Sequence, residues 1–333
     1  MSDPVTYDRF REFIDRHDGF LILSHQDPDG DALGSSLALE AALRNRGKRA
    51  VTANESPVPE SLRFLPGWDS VRLAADLTAP YGAVFVLDCS SLDRVGPSAE
   101  RLVRTDAAVA CIDHHAGGNK GFGDPRLVDV EASATAELVH DLLQGVGLPI
   151  TPEIAACLYA GIASDTGAFR YLNTTPKILR LAARLVEEGA DPALTAEALY
   201  ARKSAGSLRI LGLALASLES RAEGQVAALT ISRDMFDRAR ATPEDADGIV
   251  QYAKALQGSR VGVLIQEPLP GEVRISFRSD GSVDVNQVAG RFGGGGHRNA
   301  AGARVKGELL PVREAILSAV ERAVNGGPAS PRG

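Results

Sequence analysis

F-L-I-L-S-H-Q-D-P-D-G-D-A-L-G-S, residues 20–35, joins three unlike textures in one short stretch. An apolar run ends at Ser24, a polar cluster holds His25, Asp27, Asp29 and Asp31, and a helical pattern, A-L-G-S-S-L-A-L-E-A-A-L-R-N-R, follows. That order predicts a buried strand, a loop at its carboxyl end and a helix. Two further apolar runs end the same way. A-V-F-V-L (83–87) stops at Asp88, and A-A-V-A-C-I (107–112) stops at Asp113-His114-His115. Helical patterns follow at about 133–144, 151–163 and 175–188. Strands alternating with helices imply parallel βαβ units, in which ligands bind at the carboxyl ends of the strands. All three polar clusters fall at that edge.

Outward from this core the texture changes twice. One helix stops at E-E-G-A-D-P (187–192), and residues 193–222 read as a helical linker. After Gly224 come strands near 225–232, 260–267 and 272–278, a helix from about 284, a glycine-rich turn and a closing helix at 309–324. The expected organisation is an α/β domain over 1–192, the linker, a smaller α+β domain over 223–325, and a tail, 326–333, disordered by composition. The hairpin of the second domain is placed at E-P-L-P-G-E (267–272).

The chain has 333 residues, 44% of them apolar and 24% charged, enough for two ordinary cores. No apolar run approaches the roughly 20 residues of a membrane span. The N-terminal segment lacks the basic-then-apolar pattern of a signal peptide. Cys89, Cys111 and Cys157 lack close spacing, and the first two sit in apparent buried strands, so they read as reduced thiols of a cytoplasmic protein. A net charge of −7 argues against coating long nucleic acid by charge alone, but not against a short substrate.

Alternating Asp27, Asp29 and Asp31 superficially suggest a calcium loop. An EF-hand starting at Asp27 needs Gly and Glu where Ala32 and Ala38 stand, which excludes it. A plain turn with Asp31 capping the next helix is the bland alternative for this loop. Aspartates such as Asp88 commonly end strands, and Asp165, in S-D-T-G-A-F-R-Y (164–171), could equally cap a turn. The pair His114-His115 is more specific, because adjacent residues point to opposite sides. If Asp29, Asp31, Asp88 and Asp165 meet, carboxylates about 4 Å apart repel by about 4 kcal/mol each at an effective dielectric of 20. Two divalent cations would balance the four charges. Mixed imidazole and carboxylate donors favour Mn(II), with Mg(II) or Co(II) able to substitute.

The motifs H-Q-D-P-D-G-D-A-L-G-S, V-L-D-C-S, I-D-H-H and S-D-T-G-A-F-R-Y resemble, in order, those of the DHH phosphoesterase superfamily. The closing G-G-G-G-H-R-N-A-A-G (293–302) resembles the signature of its associated C-terminal domain. The whole set is most similar to NrnA-type oligoribonucleases (nanoRNases) and pAp phosphatases. That resemblance implies an active site in the cleft between two domains. There His25, Asp29 and Asp88 would hold one metal, and Asp31, Asp88, His114 and Asp165 the other. It makes His115 the residue at the scissile phosphate and Asp113 its support, and it leaves Asp27 without a role.

In the second domain, four consecutive glycines let backbone N–H groups approach a ligand, although a flexible turn would use them equally well. No Lys-Ser/Thr follows, so this is not a Walker A loop. By the resemblance, Arg278, Ser279, Gly295, Gly296 and His297 would grip the nucleotide distal to the cut. The expected substrates are short RNA oligonucleotides, pAp, or linear and cyclic dinucleotides, and a homodimer is a further expectation. The rivals are a cyclic-di-AMP or pApA phosphodiesterase, a manganese-dependent inorganic pyrophosphatase and a nucleotide-binding regulator without activity. Sparse aromatic residues, 5% of the chain, disfavour a pure RNA-binding module.

Overall fold

A computed structural model describes residues 4–89, 91–115 and 122–326, and the chain divides into two compact units, Met1–Arg202 and Lys203–Gly333. Residues 116–118 of the histidine motif and 327–333 of the tail lie outside the described residues.

The first unit runs α1 (Pro4–Arg16), β1 (Gly19–Leu23), α2 (Gly30–Asn45), β2 (Arg49–Asn54), β3 (Arg72–Leu73), β4 (Tyr81–Leu87) and α3 (Pro97–Glu100). It continues with β5 (Val103–Asp113), β6 (Arg126–Val128), α4 (Thr135–Val146), α5 (Pro152–Asp165), α6 (Pro176–Glu187) and α7 (Pro192–Ala196). Its sheet has the order β3-β2-β1-β4-β5-β6 and every pair is parallel. The order reverses direction between β1 and β4, where an open α/β sheet leaves its crevice. Strands buried on both faces explain the unbroken apolar runs. Phe20 and Ile22 of β1 enter a core with Phe10, Leu33 and Phe85, while Leu21 and Leu23 join Val84, Val86 and Cys89 on the other face.

Helix α2 is buried along most of its length and packs on α5. A Cβ on Gly161 would lie 2.9 Å from Asp31 Oδ1 and 2.8 Å from the Ala136 Cβ, and one on Gly30 would lie 2.6 Å from the Ser164 Cβ. Glycine at both positions therefore lets the start of α2 meet the end of α5. That approach brings Asp31 and Asp165 to one place.

The second unit comprises α8 (Ala205–Ala216), β7 (Glu219–Arg221), β8 (Val226–Ile231), α9 (Arg233–Ala239), α10 (Val250–Lys254) and β9 (Val261–Leu269). After these come β10 (Glu272–Ser279), α11 (Val285–Gly290), β11 (Gly295–Gly296), β12 (Ala300–Lys306) and α12 (Leu309–Gly326). Its mixed sheet has the order β11-β12-β10-β9-β8-β7, with only β8 and β9 parallel among its described pairs. Separate cores cover its two faces. The stretch 193–222, read as helical, also contains the short strand β7.

Candidate active site

Three acidic side chains of the cluster, Asp29, Asp31 and Asp88, are held by hydrogen bonds before any ligand is considered. Asp29, not Asp31, caps α2: its Oδ1 accepts from the Asp31 and Ala32 amides at 3.0 Å. Asp31 is completely buried and caps a different helix. Its carboxylate accepts from the Thr135 and Ala136 amides, at 2.6 and 2.9 Å, at the start of α4. Those orphan amides and the positive end of α4 favour the anion. Asp88 leaves β4 with φ +52, a left-handed conformation in which aspartate is among the few tolerated residues. Its Oδ1 accepts from Thr135 Oγ1 at 3.0 Å. Thr135 thus organises both carboxylates.

The imidazoles complete the cluster. His114 Nδ1 lies 3.2 Å from the Ala132 carbonyl, which accepts its proton and leaves Nε2 as the donor atom. That Nε2 stands 3.1 Å from Asp165 Oδ2, 3.6 Å from Asp88 Oδ1 and 4.0 Å from Asp31 Oδ2. His25 Nε2 stands 3.6 Å from Asp88 Oδ2 and 3.9 Å from Asp29 Oδ1. Asp88 therefore shows one oxygen to each histidine. Two groups, His25–Asp29–Asp88 and Asp31–His114–Asp165, each gather ligand atoms within 4.8 Å of one another, and Asp88, His114 and His115 form a third. Three oxygens around a single imidazole nitrogen, close to but mostly beyond hydrogen-bond distance, suit donors converging on a cation.

The protonation of these groups shows how strongly the carboxylates crowd. Burial, then the charges on Asp88 and Asp165, push Asp29 up to about 6. The Asp29 side chain keeps 53% of its surface accessible, so solvent moderates both effects. Burial and the same two neighbours drive Asp31 well above the carboxylate range, against its two amide bonds. Burial opposes ionisation of Asp88 too, but contact with His25 and the nearby imidazoles hold it at about 2. Burial would lower His114, yet the bond to Asp165 and the charges of Asp31, Asp165 and Asp88 push it up to about 10. Divalent cations would relieve this repulsion with charge of the right sign.

His115 is held differently. Its Nδ1 lies 2.7 Å from Asp113 Oδ1, which also accepts the His115 amide at 3.2 Å. Asp113 is completely buried and serves to orient that ring. Asp27 sits outside the ligand groups, where its Oδ1 accepts from Ser56 Oγ at 3.0 Å. Thr135 and the Ala132 carbonyl are functional elements that the motifs did not reveal. Asn173 is a third, its amide donating to the Asp165 carbonyl at 3.1 Å and thereby bracing the end of α5.

In the second unit the five expected contact residues gather at one corner of the sheet. Arg278 pairs with Ala300 and Gly296 with Ala301 in register, and the His297 amide donates to the Ala300 carbonyl at 2.6 Å. Gly295, Gly296 and His297 are exposed. Ser279 Oγ donates to Val283 O at 2.7 Å and accepts from the Gly281 amide at 3.0 Å, so its hydroxyl shapes its own turn. A Cβ on Gly294 or Gly296 would lie 2.1 or 2.5 Å from a β12 carbonyl. Those two glycines answer first to their own sheet, whereas a Cβ on Gly295 would meet only Asn286 Oδ1, at an ordinary contact of 3.7 Å.

The buried acid–imidazole cluster at the switch point of a parallel sheet is the architecture of a divalent-metal hydrolase. The chain belongs to the DHH family. The model of the DHH family N-terminal domain matches residues 19–162, and that of the DHHA1 domain matches residues 223–326. The chain is 37% identical over 300 residues to a Thermus thermophilus protein named bifunctional oligoribonuclease and PAP phosphatase NrnA, covering 90% of this chain and 88% of that one. It is 31% identical to the Bacillus subtilis protein of the same name, covering 88% and 91%. An exopolyphosphatase-related protein from Bacteroides fragilis superimposes with TM-score 0.88 at 26% identity, covering 97% of this chain and 96% of its own. All three described cysteines are buried and unpaired with one another, and no described helix is long and apolar enough to cross a membrane.

Proposed function

We propose that this chain is a cytoplasmic metal-dependent phosphoesterase that hydrolyses short oligoribonucleotides to 5′-mononucleotides and adenosine 3′,5′-bisphosphate (pAp) to AMP. The observation that carries the reading is Asp88, whose two oxygens face His25 and His114 at 3.6 Å each. Asp88 would share itself between two cations, one held with His25 and Asp29, the other with Asp31, His114 and Asp165. The donor set favours Mn(II), with Mg(II) or Co(II) as substitutes. When bound, such ions supply activation of the attacking water and neutralisation of charge at the phosphoryl oxygens.

The rest of the work belongs to the chain. Asp113 fixes the His115 tautomer through Nδ1, so Nε2 is the atom through which His115 serves the phosphoryl or leaving oxygen. Arg278, Gly295, Gly296 and His297 take the nucleotide beyond the scissile bond, with Ser279 holding the turn that presents Arg278. A terminal nucleotide gripped in this way selects short strands.

Product analysis tests the proposal. After metal stripping, pApA and pAp should be inert, and restoring Mn(II) should convert both to AMP. Faster turnover of pyrophosphate or of cyclic di-AMP than of either would shift the assignment to that substrate. Nucleotide binding without Mn(II)-dependent turnover would replace the enzyme with a regulator.

A further inference from the structure

A groove of about 190 Å³ opens in the first unit beside the loop that carries His25 and Asp29, lined by Ser56, Val58, Arg63, Trp68, Asp69 and Arg72 among others. Its position follows from strand register. Arg72 and Leu73 of β3 pair with Ala53 and Asn54 at the carboxyl end of β2, and the Asn54 amide donates to Ser24 Oγ at 2.7 Å where β1 ends. The groove therefore lies on the same sheet edge as the acidic cluster, displaced by two strands, or about 10 Å. Ser56 joins the two directly: its amide donates to the Gln26 carbonyl at 3.2 Å and its hydroxyl to Asp27 at 3.0 Å.

The lining has its own chemistry. The Arg63 guanidinium sits over the Trp68 ring, 5.4 Å from its centroid. Arg63 Nε donates only weakly, to the Val58 carbonyl at 3.4 Å, and the Arg72 side chain makes no hydrogen bond or ion pair among the described residues. Both arginines are exposed, and they outnumber the single acid of the lining, Asp69. An indole–guanidinium layer accepts a nucleobase face, and a second guanidinium accepts a phosphate.

We propose that this groove is a nucleotide subsite: Trp68 and Arg63 stack on a base, Arg72 holds the attached phosphate, and Asp27 with Ser56 ties the groove to the catalytic loop. The subsite rests on the phosphoesterase reading for its biological substrate, but its occupancy is measurable without turnover. Trp68 is the only tryptophan in the chain, so its fluorescence reports the groove alone.

The full-length chain, with Mg(II) present, is titrated with AMP, adenosine and inorganic phosphate. AMP should quench Trp68 saturably, adenosine at least tenfold less tightly and phosphate not at all. Arg72→Ala and Arg63→Ala, both at exposed positions, should each weaken AMP at least fivefold. An unresponsive Trp68, or wild-type AMP affinity in both arginine variants, overturns the subsite. Hydrolysis of pApA with a silent Trp68 removes the subsite and leaves the phosphoesterase standing. A saturable Trp68 response without hydrolysis of pApA or pAp supports the subsite and removes the enzyme.

Discussion

The acidic cluster of the first unit and the glycine corner of the second are held by opposite means. In the cluster, Asp31 and Asp88 are buried and each is anchored by α4, so their positions are set before any ligand arrives. At the corner, Gly295, Gly296 and His297 are exposed, and what fixes them is the register of β11 on β12. The first arrangement suits chemistry, where displacement by about 1 Å can cost a hundredfold in rate. The second suits recognition, where a backbone close to solvent can accept related ligands.

The contrast breaks most readily at the residues that act through position. His115→Ala should lower kcat on pApA by about 10²–10⁴-fold, the usual contribution of a general acid–base group. Metal content, counted by emission spectrometry, should stay at the wild-type level. Asp113→Asn should reproduce part of the loss through the wrong tautomer. A His115→Ala protein that loses its metal would make His115 a ligand instead.

Gly161→Ala probes the anchoring itself. The new methyl would contact Asp31 Oδ1 and the Ala136 Cβ, and overpacking of this kind costs about 1–3 kcal/mol. Thermal unfolding of the metal-free variant should show the loss, together with weaker Mn(II) binding. Unchanged stability and affinity would mean that α2 and α5 yield easily. At the corner, His297→Ala should raise KM for pApA about ten- to a hundredfold with a small change in kcat, as expected for a charge-assisted hydrogen bond worth about 1.5–3 kcal/mol. The salt dependence of KM should be shallow, because few phosphates are contacted.

A smaller effect concerns pH. Asp29 is raised to about 6 and His114 to about 10, so the folded metal-free chain binds more protons than the unfolded one from about pH 4 to pH 10. Stability of the metal-free protein should therefore fall as pH rises through that window. Asp88, held at about 2, acts in the other direction, contributing stability above pH 4 that is lost as pH falls toward 2. Melting temperatures in chelator from pH 5 to pH 9 should decline, and Mn(II) should flatten the decline. A rise across that range would contradict the crowding of carboxylates.

The strand exits were legible because their signals are local: an apolar run, then His25 or Asp88 or Asp113 at its end. The α/β architecture and the approximate spans of α4, α5 and α6 followed from the same periodicity. What anchors the cluster was not legible. The cap of α4 is Asp31, 104 residues from the amide it serves, so the start of α4 carries no capping side chain of its own. The loop of Asp29 and Asp31 hid a division of labour in which each acid caps a different helix. Strand β12 escaped notice because A-A-G-A-R-V-K has little alternation to mark it. The glycines before it read as ligand-binding or flexible, while two of them are required by the carbonyls of β12.

Asp88 belongs to both halves of the cluster, and counting Mn(II) by calorimetry in wild-type, Asp29→Ala and Asp88→Ala proteins tests that directly. Two ions per wild-type chain, one in Asp29→Ala, and simultaneous weakening of both in Asp88→Ala are the predicted results. Two full-affinity ions in Asp88→Ala, or a single ion in the wild type, would contradict the shared aspartate.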